Sequence, residues 1–181
     1  PSNAFAQLRL ELFSEYESMD TDSIISSALD IYSDESTIKN EFGDVLKINS
    51  EKDEIKKILN NLFYDVLNIE FNLWPWIRNM VKYGDFYLKL NILEKVGVVN
   101  VEPVSVYEMI REEGTDPSKP EYVRFLHDPS FGGAVSNYHK PAGAKTYFEN
   151  YEIAHFRMLS DTNFLPYGKS MLEGARKTWK Q

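Results

Sequence analysis

The apolar residues of this chain change from helical to strand period at Tyr83-Gly84-Asp85. Before that tripeptide they recur at helical spacing; after it they alternate, as in a strand with one covered face. A mainly helical stretch comes first, a run of strands follows, and a helix ends the order. The chain therefore reads as α+β: N-terminal helices, then an antiparallel β-meander, then a C-terminal helix. That order excludes an alternating parallel-sheet fold.

Residues 5–17 place Phe5, Leu8, Leu12 and Tyr16 near one helix face. A second helix is expected to start at Asp20 or Thr21, with Ile24, Ile25, Ala28, Leu29 and Tyr32 inward. Val45 to Ile48 reads as a short strand after the Gly43-Asp44 turn. Ser50 is expected to cap the most regular helix, whose face runs from Ile55 and Ile58 to Val66 and Leu67. Residues 72–83 form the next helix, with Asn72 as cap, Pro75 in the first turn and Gly84 as its left-handed stop.

Phe86 to Ile92 and Val98 to Val104 form a hairpin about Glu94-Lys95-Val96-Gly97. Tyr107 to Glu113 and Tyr122 to Leu126 form a second pair. Residues 128–143 show little periodicity and read as the longest irregular stretch. Thr146 to Glu149 and Ile153 to Met158 are closing strands, and Ser160 to Tyr167 is a loop. From Gly168 a helix places Met171, Leu172, Ala175 and Trp179 on one face.

Charge restricts function. Asp and Glu number 28 against 20 Lys and Arg, a net charge of −8 over 181 residues. Proteins that wrap nucleic acid by neutralising phosphates are basic, so tight phosphate tracking is excluded. A surface that lets DNA slide past without gripping it is not. The chain has no Cys, which removes disulfides, thiol nucleophiles and Cys-ligated zinc. No apolar run reaches the roughly 18 residues of a membrane helix. Residues 1–4 (Pro1-Ser2-Asn3-Ala4) read as an expression-tag scar, leaving 5–181 as one domain's length.

Tyr167-Gly168-Lys169-Ser170 ends like a phosphate-binding loop. The position that such a loop needs as Gly is Asn163, and Phe164 to Tyr167 are too bulky to cradle a phosphate, so the run reads as a helix-opening turn. His127, His139 and His155 lack metal-ligand spacing and read as packed or solvated rings. Asp30 and Asp34 share a helix face, and with Asp20, Asp22 and Glu35 they make an acidic helix. It reads as a solvated face or as an ion-pairing surface for another chain. Asp85, Lys89 and Glu102 can be assembled into the set of a metal-dependent nuclease or hydrolase, the alternative enzymatic reading. An unrelated oligomeric structural module is the other alternative. Tyr83-Gly84-Asp85 is accounted for as a helix stop and turn. No cofactor site is read.

Several segments together resemble the portal vertex proteins of tailed bacteriophages, especially those with contractile tails. The resemblance lies in Ala28 to Glu35, Val45 to Ile48, Glu54 to Leu67 and Trp76 to Asp85. It continues in Glu102-Pro103-Val104 and Ile153 to Arg157, and is strongest in the run Leu165 to Gln181. It implies a non-enzymatic subunit of a dodecameric ring at one capsid vertex, made in the host cytoplasm and carried in the virion. DNA is packaged and ejected through such a ring, with terminase, neck proteins and the capsid shell as partners and no membrane in the mature particle. This chain would be the N-terminal part of the wing, stopping before the stem helix. Interface or motif candidates are then Asp30, Asp34, Glu35, Tyr83, Gly84, Asp85, Tyr167, Gly168, Ser170, Arg176, Trp179 and Lys180. Arg176, Lys177 and Lys180 would form a basic patch for the acidic second helix of a neighbour or for a following helix of the same chain, with Trp179 as a buried anchor. Exposed apolar patches are expected where neighbours sit.

Overall fold

The computed structural model describes residues 2–134, 144–159 and 164–181. His139, most of the irregular 128–143 stretch, residues 160–163 and the Phe5 side chain lie outside the described residues. Helix α1 spans Ser2–Asp20 and α2 spans Ser23–Ser36. Asp22, not Asp20 or Thr21, caps α2: its carboxylate accepts the Ile24 N–H at 2.8 Å. Both helices are rotated from their expected faces. α1 buries Arg9, Leu10, Phe13, Tyr16 and Met19 and exposes Leu8. α2 buries Leu29 and Ser33 and exposes Ile24 and Tyr32. Ser33 tolerates burial because its hydroxyl donates to the Leu29 carbonyl at 2.9 Å, leaving no unmet donor.

Val45 to Ile48 is not a strand. Side chains occupy its backbone groups instead: Glu70 accepts the Val45 N–H at 3.2 Å, and Tyr64 donates to the Leu46 carbonyl at 2.6 Å. Helix α3 spans Asp53–Asn60 and runs on through a π-helical turn, Asn61–Val66. Lys52, not Ser50, holds the cap position, and α3 buries none of its residues. Helix α4 spans Ile69–Tyr83 and begins earlier than its pattern suggests, because Asn68 turns the chain at φ 45°. Pro75 therefore lies inside the helix, and Asn72 donates back to the Leu67 carbonyl at 2.9 Å instead of capping.

The strands are β1 (Asp85–Leu93), β2 (Gly97–Val104), β3 (Met109–Glu113), β4 (Val123–His127), β5 (Thr146–Glu149) and β6 (Ile153–Arg157). They form two antiparallel three-stranded sheets, in the orders β2-β1-β6 and β3-β4-β5. The α+β reading holds, with the meander divided between the sheets. A tight turn joins β5 to β6, with Glu152 N–H on the Glu149 carbonyl at 3.0 Å. β6 then leaves its neighbour and pairs with β1, setting Tyr87 opposite His155. Tyr87 faces the second sheet, its ring 6.2 Å from that of Phe125. Phe86, on the alternate face, meets Trp76 of α4 at 6.0 Å. The core is Leu10, Phe13, Tyr16, Met19, Leu29, Val81, Tyr87, Val106, Met109, Phe125, Ile153 and Leu172. Helix α5, Glu173–Trp179, closes the chain and buries none of its residues.

Candidate functional site

Two glycines far apart in sequence bring the flagged motifs together. Gly84 ends α4 at φ 87°, a conformation that other residues rarely adopt. Gly168 lies against it: a Cβ there would stand 1.9 Å from the Gly84 carbonyl oxygen. The approach is locked by hydrogen bonds. Met158 N–H donates to Gly84 O at 2.8 Å, Met171 N–H to Val81 O at 3.0 Å, and Ser170 Oγ to Lys82 O at 2.5 Å. Ser170 Oγ also accepts the Leu172 N–H at 3.0 Å, so one hydroxyl ties the end of α4 to the start of the C-terminal segment.

Asp85 sits under this crossing. Its carboxylate accepts Gly168 N–H at 2.9 Å, His155 Nε2 at 2.8 Å and Arg9 at 2.9 Å. The Arg9–Asp85 pair is sealed, with side chains 7% and 1% exposed. Arg9 also lies 3.3 Å above the Tyr167 ring. His155 stacks on Tyr87 at 4.4 Å, and its Nδ1 faces Arg111 at 3.3 Å. Those partners fit a neutral ring that donates from Nε2. Burial pushes the His155 pKa down, Asp85 opposes this, and Arg111 and Arg9 add to the fall. Tyr167 completes the set by accepting the Arg111 N–H at 2.9 Å.

An Asp-His pair invites an acid–base reading, but this one has no substrate access: the His155 side chain is 3% exposed. Its carboxylate is spent on three donors within the fold. The nuclease set is not assembled either. Asp85 is enclosed here, whereas Glu102 pairs with Lys89 at 3.6 Å and accepts from Asn91 at 2.7 Å. Among the described residues, no group of three or more His, Cys, Asp or Glu is placed to hold a metal ion.

A second cluster joins α1, α2 and α4. Arg78 forks onto Asp20 at 2.9 and 3.0 Å and reaches Asp30 at 2.6 Å and Ser26 at 3.0 Å. Lys82 adds a contact to Asp20 at 2.9 Å. Burial opposes ionisation of Asp20, but bonds from Arg78 and Lys82 outweigh it and bring its pKa down to about 2. Asp34 accepts from Trp74 Nε1 at 2.7 Å. Asp30 and Asp34 thus face α4 rather than a free surface. Glu35 is exposed and makes no ion pair among the described residues. Tyr83 packs edge-on to Phe13 at 5.4 Å and donates to Glu17 at 2.8 Å.

The third cluster carries the basic residues of α5. Arg176 binds Glu15 of α1 at 2.8 Å and Glu173 of its own helix at 2.8 and 2.9 Å. Lys180 reaches Glu15 at 2.5 Å, and Tyr16 donates to Glu173 at 2.7 Å. The ion pairs go to α1 of the same chain, not to the acidic α2. Trp179 is 40% exposed, so nothing in the single chain buries it as an anchor.

Sequence reasoning flagged Gly84, Asp85, Tyr167, Gly168 and Ser170, and the fold brings them into one junction. It missed Arg9, Glu15 and Arg78, partners of the flagged groups; His155, read as a packed or solvated ring, is packed. Arg9 carried one signal, a lone cation between Leu8 and Leu10. These clusters fasten elements to one another: the first joins α1, β1, β6 and the C-terminal segment, the second α1, α2 and α4, the third α1 and α5. The family model of the Bacteriophage T4-like portal protein (Gp20) matches residues 9–181. The chain belongs to that family, whose role is structural, in a bacteriophage. No curated protein matches the chain.

Proposed function

We propose that this chain is the wing portion of a ring-forming portal subunit, at the capsid vertex through which DNA enters and leaves. The family match across residues 9–181 carries the reading. In the whole protein the ring has twelve-fold symmetry as implied by the resemblance, and terminase, neck proteins and capsid shell dock on it. The subunit is made in the host cytoplasm and ends in the virion. A net charge of −8 supports passage of duplex DNA without a sequence-specific grip. Exposed Ile24, Ile31, Phe42, Ile58, Phe71 and Val96 supply apolar surface for neighbours to cover. Glu35, Arg176, Trp179 and Lys180 are the proposed interface residues, whereas Gly84, Asp85, Tyr167, Gly168 and Ser170 hold the interior that presents them.

Negative-stain microscopy of the longer parent protein beside this chain tests the reading. Rings with an axial hole from the parent are expected. A parent that stays monomeric across salt conditions, or that cuts DNA with Mg²⁺, would overturn it.

A further inference from the structure

Arg111 ties the second sheet to the buried junction. It lies in β3, at the edge of that sheet. Its N–H donates to the Tyr167 hydroxyl at 2.9 Å, and that hydroxyl lies 3.3 Å from the Arg111 carbonyl. Both backbone groups are thus met by one side chain of the C-terminal segment. The guanidinium has two partners. Its Nη1 faces His155 Nδ1 at 3.3 Å, and its Nε and Nη2 each lie 2.7 Å from the Glu113 carboxylate.

The first partner holds only while the ring is neutral. A guanidinium has donors and no acceptor, so His155 Nδ1 must offer its lone pair. Asp85 accepts from Nε2 at 2.8 Å, which uses the one proton of a neutral ring. A second proton would sit on Nδ1 and point at Arg111. The groups facing the ring are Asp85 and Tyr87 of β1, Arg111 of β3, Phe125 of β4 and Tyr167, with Arg9 of α1 behind Asp85. Protonation would set Arg9, Arg111 and an imidazolium against the single carboxylate of Asp85, in a site almost closed to water. Glu113 stands at the rim instead, its side chain 44% exposed. Arg111 can therefore leave His155 and keep a counter-charge.

We propose that His155 and Arg111 form an acid-sensitive latch between the two sheets. At neutral pH the ring accepts from Arg111, and β3 stays on the junction. On acidification the ring takes its second proton, Arg111 turns to Glu113, and β3 comes away from Tyr167 while β1 and β6 stay paired. Burial, with Arg111 and Arg9, holds the ring's pKa below its ordinary value near 6.5. The opened form therefore binds the proton first. The closed form has its full stability above about pH 6.5 and loses up to about tenfold against the open form per pH unit below it.

The test is amide exchange, corrected for intrinsic rates, between about pH 7.5 and about pH 5.5. The Arg111 amide and its β3 neighbours are expected to exchange up to about tenfold faster at the lower pH, with β1 amides unchanged. His155→Gln retains an oxygen for Arg111 and an N–H for Asp85 but does not titrate, so it should flatten that dependence. His127→Gln, which removes the ring beside Glu108, should leave it in place. Should H155Q fail to fold, proton NMR of the parent sequence decides: the His155 ring and the β3 amides are expected to titrate together. Exchange in β3 that is constant across the range, that keeps its pH dependence in H155Q, or that changes where the ring does not titrate overturns the latch. Joint loss of β1 and β3 protection overturns it too, since that is unfolding of the chain and not release of one strand.

Discussion

Gly168 and Gly174 lie close in sequence and answer to opposite constraints. An Ala methyl at 168 would meet the Gly84 carbonyl at 1.9 Å, and that backbone is pinned by Met158 N–H. Gly168→Ala is expected to cost about 4 kcal/mol or more, measured by urea unfolding, because the crossing must separate. Gly174 sits in α5 with open space around its missing Cβ. Gly174→Ala should stabilise α5 by about 1 kcal/mol, read as slower amide exchange in that helix. Asp85 has a third role, as the counter-charge for Arg9. Asp85→Asn would leave a buried guanidinium without its partner and should cost about 3–5 kcal/mol in the same unfolding measurement. An unchanged midpoint would mean that Arg9 finds solvent, contrary to its burial.

At the scale of elements, α2 is the case where charge replaces apolar contact. It buries only Leu29 and Ser33, and Arg78 of α4 bonds its Asp30 and Ser26 while forking onto Asp20 at the end of α1, just before it. Asp20 is held at about 2, below its unfolded value near 3.9, so its contribution is complete above about pH 4. It is lost as pH falls from about 4 towards 2. Thermal melts of Asp20→Asn against the parent sequence should show a gap that narrows through that window; a constant gap would assign the stabilisation to something other than ionised Asp20. The same substitution of charge for apolar surface explains what the sequence made legible. Spacing located α1, α2, α4 and the strands, since period reports element type. It misplaced the inner faces of α1 and α2, because Arg9 and Ser33 are buried where an apolar pattern expects Leu8 and Tyr32. Val45 to Ile48 has strand-like residues, but Tyr64 and Glu70 meet its backbone first. The crossing of β6 to β1 is a long-range pairing with no local signature. The candidate junction was half legible: turn chemistry marked Gly84, Asp85, Gly168 and Ser170. Nothing local shows that the two motifs touch, or that Arg9 and His155 close over them.

For the whole molecule, the most regular amphipathic helix is the one left uncovered. Residues 53–67 carry the clearest helical face in the sequence, yet α3 buries nothing, and Ile55 and Ile58 are 44% and 67% exposed. The single chain half-buries Leu59, Leu62, Phe63, Val66 and Leu67 but gains little from the Ile55–Ile58 end, since apolar burial stabilises only where water is removed. On the ring reading proposed above, the surface that covers it would come from assembly, and Ile58 is the residue at which that expectation is tested. Ile58→Lys is expected to leave the unfolding of the isolated chain within about 0.5 kcal/mol of the parent sequence, as for other exposed positions. In the longer parent it should reduce the yield of closed rings on negative-stain grids, because a lysine ammonium would be buried without a partner. Normal ring yield would assign the α3 face to solvent, and a destabilised single chain would mean that the face is already packed within one copy.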